Sequence, residues 1–233
     1  NLYIHTEEAL YHLPQNIQER ITGDIVSFIG TGEFFNVPPR LIVDSQESSA
    51  GTIHKWSRVK TPYGVFFLSY NDRKWYQFNG QKLRAVSDDG LYNWFKNNVP
   101  FVYEKFYDNL DNPTNPDGLG FTSVYDSRKD RVILSKIDRR TGARDRSWTI
   151  SYSAKNNSII SWHSYKPSMF YSVNNDFFSF KDGTAWKHNV EGNYQTFYGT
   201  LYPHIIEFVS VDNQIENKIW DSIALHTEAR VYD

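Results

Sequence analysis

The chain has 233 residues, enough for a sizeable core, and its 25 basic and 27 acidic residues give a formal charge of −2. This balance argues against a protein that binds nucleic acid or anionic membranes through bulk charge. The absence of cysteine excludes disulfide bridges and zinc–thiolate sites, and no apolar run reaches the roughly 18 residues that span a bilayer.

Aromatic residues make up 17% of the chain, which favours pleated sheets. Residues 2–6 and 10–13 predict a hairpin, residues 15–21 a helical turn or a loop, and residues 25–29 a strand. That strand runs into Gly30-Thr31-Gly32, where the third glycine and the helix of a dinucleotide site are missing, so a turn is the better interpretation. The Pro38-Pro39 pair and residues 45–51 predict an exposed connection.

Two aromatic strands follow at residues 65–70 and 74–78, and Asn79-Gly80 is typical of a hairpin turn. Ser87 is a candidate N-cap for a short helix that carries Leu91, Trp94 and Phe95 on one face. This segment predicts one helix within a chain that is otherwise made of strands.

Residues 109–120, NLDNPTNPDGLG, consist of turn formers and predict a loop that is mobile or ordered by a partner. Strands are predicted at residues 121–125 and 131–136, followed by a charged hairpin tip at 139–146. The last predicted strands are residues 204–211 and 219–225.

The central stretch, residues 147–189, shows the clearest strand pattern. Trp148, Ile150 and Tyr152 alternate with small polar residues, as in a half-buried strand. Asn156-Asn157 and Asp182-Gly183 tolerate the positive φ of tight turns, and they separate further runs at residues 160–163, 169–173, 178–180 and 184–188. The stretch therefore predicts one antiparallel meander of the size of a propeller blade.

The expected fold class is all-β, with antiparallel meanders arranged as a partial β-propeller-like domain with one or two short helices. The sequence His-Thr-Glu occurs at residues 5–7 and again at 226–228, which favours an internally repetitive array over a single sandwich. We expect residues 1–233 to form one such region. Because the chain starts at Asn1 and both ends cut through periodic sequence, we also expect a segment of a longer polypeptide.

Candidate sites are sparse. Residues 128–146 hold eight Lys or Arg interleaved with Asp, which suits either phosphate contact or a solvated hairpin surface. The pairs His5 with Glu7 and His226 with Glu228 favour a recurring strand pair over a metal site, and His204 with Glu207 has no further support. No catalytic residue, metal ligand or cofactor is predicted.

Residues 179–186, SFKDGTAW, are similar to the Asp-box hairpins of sialidase propellers, although Asp182 and Gly183 are adjacent where that motif separates them. Glycosidases need two carboxylates held across a cleft, which one sequence cannot show. Trp and Tyr side chains could also form sugar platforms, but at strand spacing they are usually core. A glycan-binding or glycan-cleaving propeller used in host adsorption is therefore the alternative function.

Short phrases along nearly the whole chain carry a family resemblance. They are residues 2–7 (LYIHTE), 25–35 (IVSFIGTGEFF), 60–67 (KTPYGVFF), 77–80 (QFNG), 120–131 (GFTSVYDSRKDR), 159–167 (IISWHSYKP), 178–181 (FSFK), 186–189 (WKHN) and 223–232 (IALHTEARVY). In this order and combination, the chain resembles the muzzle or nozzle proteins at the tail tip of short-tailed, crAss-like bacteriophages.

The resemblance implies a structural protein of the virion tail and no enzyme. It implies propeller-like domains assembled with other copies in a ring, with a hexamer expected, around the channel through which DNA leaves without specific binding. The tail hub and neighbouring tail proteins are the other implied partners. None of the phrases is a catalytic motif, so no functional residue is carried over.

Overall fold

The computed structural model of the chain describes residues 2–13, 38–42, 50–99, 111–115, 118–139, 144–192 and 194–207, and the backbone of residues 17–22 and 25–29. Two compact units are present, Asn1–Tyr202 and Pro203–Asp233. In the second unit the described residues, 203–207, form neither helix nor strand, so the strand predicted at 204–211 is wrong over this part. Residues 219–225 and the terminal repeat lie outside the described residues.

The described strands of the first unit pair with antiparallel neighbours in six sheets, β1-β2-β5, β3-β4, β6-β7-β8-β9, β10-β11-β12-β13, β14-β15-β16 and β17-β18. The strands are β1 (Leu2–His5), β2 (Leu10–Leu13), β3 (Ile17–Thr22), β4 (Ile25–Ile29), β5 (Arg40–Leu41), β6 (Val59–Thr61), β7 (Gly64–Ser69), β8 (Lys74–Phe78), β9 (Leu83–Ala85), β10 (Leu119–Asp126), β11 (Arg131–Asp138), β12 (Trp148–Ser153), β13 (Ser158–His163), β14 (Met169–Val173), β15 (Asp176–Lys181), β16 (Thr184–Lys187), β17 (Thr196–Phe197) and β18 (Thr200–Leu201). One α-helix, α1 (Tyr92–Asn98), and two 3₁₀ turns, Lys55–Ser57 and Val86–Asp88, complete the described elements. The predicted all-β class is confirmed.

The N-terminal hairpin forms as predicted, with β1 paired to β2, and the strand at residues 25–29 is β4. The helical turn or loop expected at residues 15–21 is wrong, because β3 pairs there with β4. The apolar residues of β3, Ile17 and Ile21, are four apart with Glu19 between them, a spacing that fits one face of a helix as well as a strand, so periodicity did not identify β3. Gly30-Thr31-Gly32 lies outside the described residues.

The end of the predicted exposed connection is buried. Ala50 has no exposed surface and bridges to Ala9. A Cβ atom on Gly51 would lie 2.2 Å from the carbonyl carbon of Glu8, so only glycine allows this approach of the two backbones. Pro38 and Pro39 are exposed as expected.

The sheet β6–β9 contains both hairpins predicted for residues 65–80. Helix α1 follows it as predicted, but Ser87 does not cap this helix. Ser87 is buried in a 3₁₀ turn, where its hydroxyl accepts a hydrogen bond from the backbone N–H of Trp75. No helix among the described residues is long and apolar enough to cross a membrane.

The loop expected at residues 109–120 is internally packed over its described part. Leu119 and Gly120 already belong to β10, and Gly118 donates its backbone N–H to Asn115. Pro113 is buried, and a Cβ atom on Gly120 would lie 2.6 Å from Pro113 Cδ. The described residues of this loop are thus bonded and packed within the chain, and the mobility expected from the sequence stays a prediction.

The predicted single meander of residues 147–189 is divided between two sheets. Strands β12 and β13 complete the sheet β10–β13, whereas β14, β15 and β16 form a separate sheet. The chain leaves the first sheet through Tyr165, which is buried, and Pro167, which has no N–H to continue a ladder. The individual strands agree with the prediction.

Four of the described sheets, β1-β2-β5, β6–β9, β10–β13 and β14–β16, pack against one another around three clusters of buried side chains. One cluster combines Phe66 and Leu68 of β7 with Leu134 of β11 and Ile150 of β12, so the two four-stranded sheets pack together with α1 at their side. On its other face the sheet β6–β9 packs Phe67 against Leu10. The other face of the sheet β10–β13 packs against β14–β16 in the third cluster, which consists of Val124, Ile133, Tyr165, Phe170 and Phe177.

Strand β12 is consequently buried on both faces, and the half-buried strand expected at residues 148–152 is wrong. Its small polar side chains let the next layer approach closely. The Thr149 hydroxyl donates a hydrogen bond to the Tyr165 carbonyl, and it lies 2.9 Å from the Ser135 hydroxyl. Small polar residues on one face of a strand are thus no proof of solvent contact.

Face-to-face packing of consecutive meanders is shared with propeller blades. Over the described residues, however, the sheets do not close into a ring. The propeller stays a prediction.

Candidate functional site

A cleft of about 800 Å³ opens beside the third cluster and is the candidate site. One wall comes from the β10–β11 turn, with Arg128 and Lys129, and from His163 at the end of β13. The other wall is Trp186 of β16 with the segment that follows it, residues 187–191 and 194–199. The turn at Asp182-Gly183 reverses the chain, so that β16 pairs antiparallel with β15. The segment that follows β16 forms the second wall.

A buried hydroxyl bridge holds the wall that follows β16. Ser179 Oγ lies 2.6 Å from His188 Nε2 and 2.8 Å from the Tyr198 hydroxyl. Burial lowers the pKa of His188 to about 4, so its ring is neutral at pH 7. Because Ser179 has no exposed surface, its hydroxyl positions the two rings and does not face the cleft as a nucleophile.

Two further polar groups beside the cleft, the hydroxyl of Tyr165 and Nε2 of His163, have no hydrogen-bond partner among the described residues. Their rings lie 4.8 Å apart. Burial lowers the pKa of His163 to about 3 and raises the pKa of Tyr165 well above its ordinary value, so both side chains stay neutral. Buried polar atoms without partners are uncommon and mark a place where a ligand or water can bind.

Asp126 fixes the two walls to each other. Its carboxylate is almost fully buried and accepts hydrogen bonds from Arg131 Nε at 3.0 Å and from Asn189 Nδ2 at 3.0 Å. The first group belongs to β11 and the second follows β16. The hydrogen bond from Asn189 therefore joins the two walls, and the ion pair with Arg131 holds the accepting carboxylate within its own hairpin.

Asp176 carries two cations at the rim. Arg128 Nη2 lies 2.5 Å and Lys187 Nζ 2.6 Å from its two carboxylate oxygens. The hydrogen bond from Lys187 and the charge of Arg128 lower the pKa of Asp176. One carboxylate thus serves two positive side chains, which leaves the rim with an excess of positive charge.

The basic stretch of residues 128–146 does not form one surface. Arg131 binds buried Asp126, and Lys136 is 3% exposed, with its Nζ 2.8 Å from Asp138 Oδ2. Arg128 and Lys129 face the cleft, and residues 140–143 lie outside the described residues. Over its described residues, the stretch is therefore neither one continuous basic patch nor wholly exposed to solvent.

The other candidates from the sequence can be placed in part. His5 lies against the ring of Phe67, with centroids 4.3 Å apart, and burial lowers its pKa to about 4. Glu7 is exposed in the β1–β2 turn, and His204 and Glu207 are exposed in the second unit. His226 and Glu228 lie outside the described residues. Among the residues that the structure describes, no group of three or more His, Asp or Glu could hold a metal ion.

The hairpin that is similar to an Asp-box forms as β15 and β16, with Asp182 and Gly183 both at positive φ in its turn. Sequence reasoning missed the cleft beside it, because its walls come from three separate segments, residues 128–131, 163–165 and 185–199, and no local spacing joins them. The one available signal was the cluster WKHN, which supplies Trp186, His188 and Asn189.

Comparison with known proteins decides the family. A sequence model of the crassvirus muzzle protein matches residues 46–183, more than half of the chain. The chain belongs to the crassvirus muzzle protein family. This confirms the predicted family and places the chain among the structural components of the phage virion tail.

The muzzle protein of Bacteroides phage crAss001 is similar to this chain at 26% identity over 186 residues. The match covers 78% of the chain but only 12% of that relative, so this chain corresponds to a small part of its length. The region matched by the muzzle family model runs from the residues before β6 to the β15–β16 turn, and therefore includes both four-stranded sheets. It includes the Arg128 and His163 wall of the cleft, whereas Trp186 and the residues after it lie beyond it.

Proposed function

We propose that this chain is a shape-holding part of a muzzle ring around the channel through which the phage genome is ejected. The ring contains further copies of the same polypeptide, with six as the expected number, and it contacts the tail hub and neighbouring tail proteins. DNA passes without specific binding. The chain performs no catalysis in this role.

The observation that carries the proposal is the burial of strands β10, β11 and β12 on both faces. Strands β10, β11 and β12 have nearly every residue buried, because a sheet covers each face of their own sheet. Layers stacked in this way open only when several contacts are broken together, and local opening is then costly. A tube that encloses a genome under pressure needs that property.

Hydrogen bonds between turns also connect the stacked sheets. Asp130 accepts a hydrogen bond from the Tyr63 hydroxyl at 2.6 Å and another from the Tyr125 hydroxyl at 2.7 Å. Tyr63 lies in the β6–β7 turn and Tyr125 in β10, so this carboxylate joins the two four-stranded sheets. The joint supports a rigid body that can be assembled as a unit.

The chemistry of the cleft supports a role without catalysis. Glu191 is the one acidic side chain that lines the cleft in the described part of the chain, whereas glycoside hydrolysis needs two facing carboxylates. Ser179 is buried away from any substrate. Glycan binding without cleavage, the other half of the sequence-based alternative, has separate support in the aromatic lining of the cleft.

The test is cryo-electron microscopy of intact virions in which an epitope tag is inserted between Asp182 and Gly183, an exposed turn. We expect bound Fab fragments at the tail tip, arranged with sixfold symmetry about the tail axis. Fab density on the capsid, or on fibres away from the tail axis, would overturn the proposal. Mass photometry of the complete polypeptide provides a second test, with a ring-sized assembly as the expected species.

A further inference from the structure

The cleft at the β16 wall has a lining that the structural role does not use. Flat aromatic side chains, Trp186, Tyr194 and Phe197, lie beside side chains with planar polar groups, Asn189 and Gln195. Tyr194 is 63% exposed, and Trp186 is partly exposed while it contacts the ring of Tyr198, with centroids 5.6 Å apart, so each side chain keeps surface that a ligand can reach. Sugar rings present C–H groups on their faces and hydroxyl groups at their edges, which fits aromatic faces next to amide and guanidinium groups.

The charged side chains around the cleft indicate which kind of sugar it would bind. Arg128, Lys129, Arg131 and Lys187 line it, together with Glu191 as the one acidic lining residue among those described. Asp126 and Asp176 bind three of these cations, and Asp176 alone serves both Arg128 and Lys187. These four positive and three negative side chains leave one positive charge in excess, so a ligand with a carboxylate is favoured over its neutral counterpart.

Two additional observations indicate a ligand. The volume of about 800 Å³ lies in the range of small-molecule sites, about 300 to 1,000 Å³, and holds a short oligosaccharide. Tyr165 lines the cleft, is 2% exposed, and has a hydroxyl to which the described part of the chain offers no hydrogen-bond partner. A buried donor of this kind is stabilised when a ligand or water supplies the acceptor.

We propose that this cleft binds a short saccharide that carries a carboxylate, with Trp186 stacked on a sugar ring and Arg128 and Lys129 beside the acidic group. The role goes beyond that of a structural tail segment, because it gives such a segment a recognition site. It does not depend on ring assembly, so the isolated chain can be used to test it.

The experiment is isothermal titration calorimetry of the 233-residue chain with two acidic probes, a hyaluronan tetrasaccharide and sialyllactose, each compared with its carboxyl-reduced form. We expect at least one acidic probe to bind in the micromolar to millimolar range and its neutral form to bind at least fivefold more weakly. Failure of both acidic probes, or equal binding of a probe and its neutral form, would overturn the proposal.

Matched variants locate the binding site. Trp186→Ala should weaken binding about tenfold or more, whereas Trp56→Ala should leave it unchanged, because Trp56 is 42% exposed in a 3₁₀ turn that does not line the cleft. Arg128→Gln should reduce the preference for the acidic form. Circular dichroism checks that each variant is folded. Equal losses in the two tryptophan variants, or binding of acidic peptides instead of saccharides, would also contradict the proposal.

Discussion

Lys136 and Asp138 form a salt bridge inside the protein, where their side chains are 3% and 1% exposed. Lys136 also donates a hydrogen bond to the carbonyl of Asn98 at the end of α1, so the pair connects the sheet β10–β13 to the helix. Removing one member of a buried pair leaves the other charge uncompensated, which costs about 3 to 5 kcal/mol.

We therefore predict that Lys136→Met lowers the free energy of unfolding by about 3 kcal/mol or more. Lys187→Met provides the control, because Lys187 forms its ion pair with Asp176 at the surface, where such pairs contribute about 1 kcal/mol or less. Urea denaturation of both variants measures the difference. Similar losses in the two variants would show that Lys136 is not buried as described.

The buried histidines predict how stability depends on pH. The pKa of His188 is about 4 in the folded chain and 6.5 in the unfolded chain. Between these values the unfolded chain takes up a proton that the folded chain does not, so stability falls as the pH drops from 6.5 towards 4 and is constant above 6.5. His163 acts in the same direction, with a folded pKa of about 3.

At pH 5 we expect His188 to contribute a loss on the order of 2 kcal/mol relative to pH 7.5. His188→Gln should shrink the difference in unfolding free energy between these two pH values. His204→Gln should preserve it, because His204 is exposed in the second unit. Carboxylates titrate mainly below this window, so an unchanged pH dependence in His188→Gln would contradict the prediction.

At the residue level, sequence could indicate turns but not the candidate site. The positive φ angles of Asn157 and Asp182 were predictable, because Asn and Asp tolerate this conformation locally. The cleft depends on where Arg128, Tyr165 and His188 meet after the sheets have stacked, which is a property of distant segments. Each of these residues looks ordinary in its own sequence context.

Among the elements, most of the longer strands were predictable, whereas β3, β17, β18 and the layering of the sheets were not. Alternation and turn formers located β7, β8, β10, β11 and the strands of residues 148–187. The face of β12 that carries Ser and Thr was expected to be exposed to solvent. It is instead covered by the layer that contains Tyr165. A small polar face fits water and a closely packed sheet equally well, so periodicity alone cannot separate the two.

The turn before β10 gives a prediction about that element. Asn112 donates its backbone N–H to Leu119, and Gly118 donates to Asn115, so these amides are bonded within the chain. We predict that both amides are protected from hydrogen exchange in the isolated chain, in the absence of any neighbouring subunit. Rapid exchange in the isolated chain that slows only on assembly would contradict this prediction and support the partner-ordered loop expected from the sequence.

Gly120→Ala tests the same element by substitution. The new Cβ would lie 2.6 Å from Pro113 Cδ and 2.8 Å from its nitrogen, so the turn must shift to accommodate it. We expect a loss of about 1 to 3 kcal/mol in unfolding free energy together with faster exchange at Gly118. Neither change is expected if the turn is loosely packed against β10.

For the whole molecule, the decisive quantity is how its charge is distributed. The formal charge is −2, and several basic side chains near the cleft and in the core are paired with Asp126, Asp138 or Asp176. Binding to duplex DNA grows with the number of phosphates that free Lys and Arg neutralise. A wall along which DNA slides should offer few such contacts, because each one would slow its passage.

We predict that the chain binds a short fluorescent DNA duplex with a dissociation constant weaker than about 0.1 mM at about 0.15 M salt. Fluorescence anisotropy over a series of salt concentrations measures both the affinity and its salt dependence. A shallow dependence is expected, since Arg128 and Arg131 are engaged by carboxylates. Asp176→Asn frees Arg128 and Lys187 and should strengthen binding at low salt. Micromolar binding by the unmodified chain would instead indicate a DNA-gripping surface and contradict passage without specific contact.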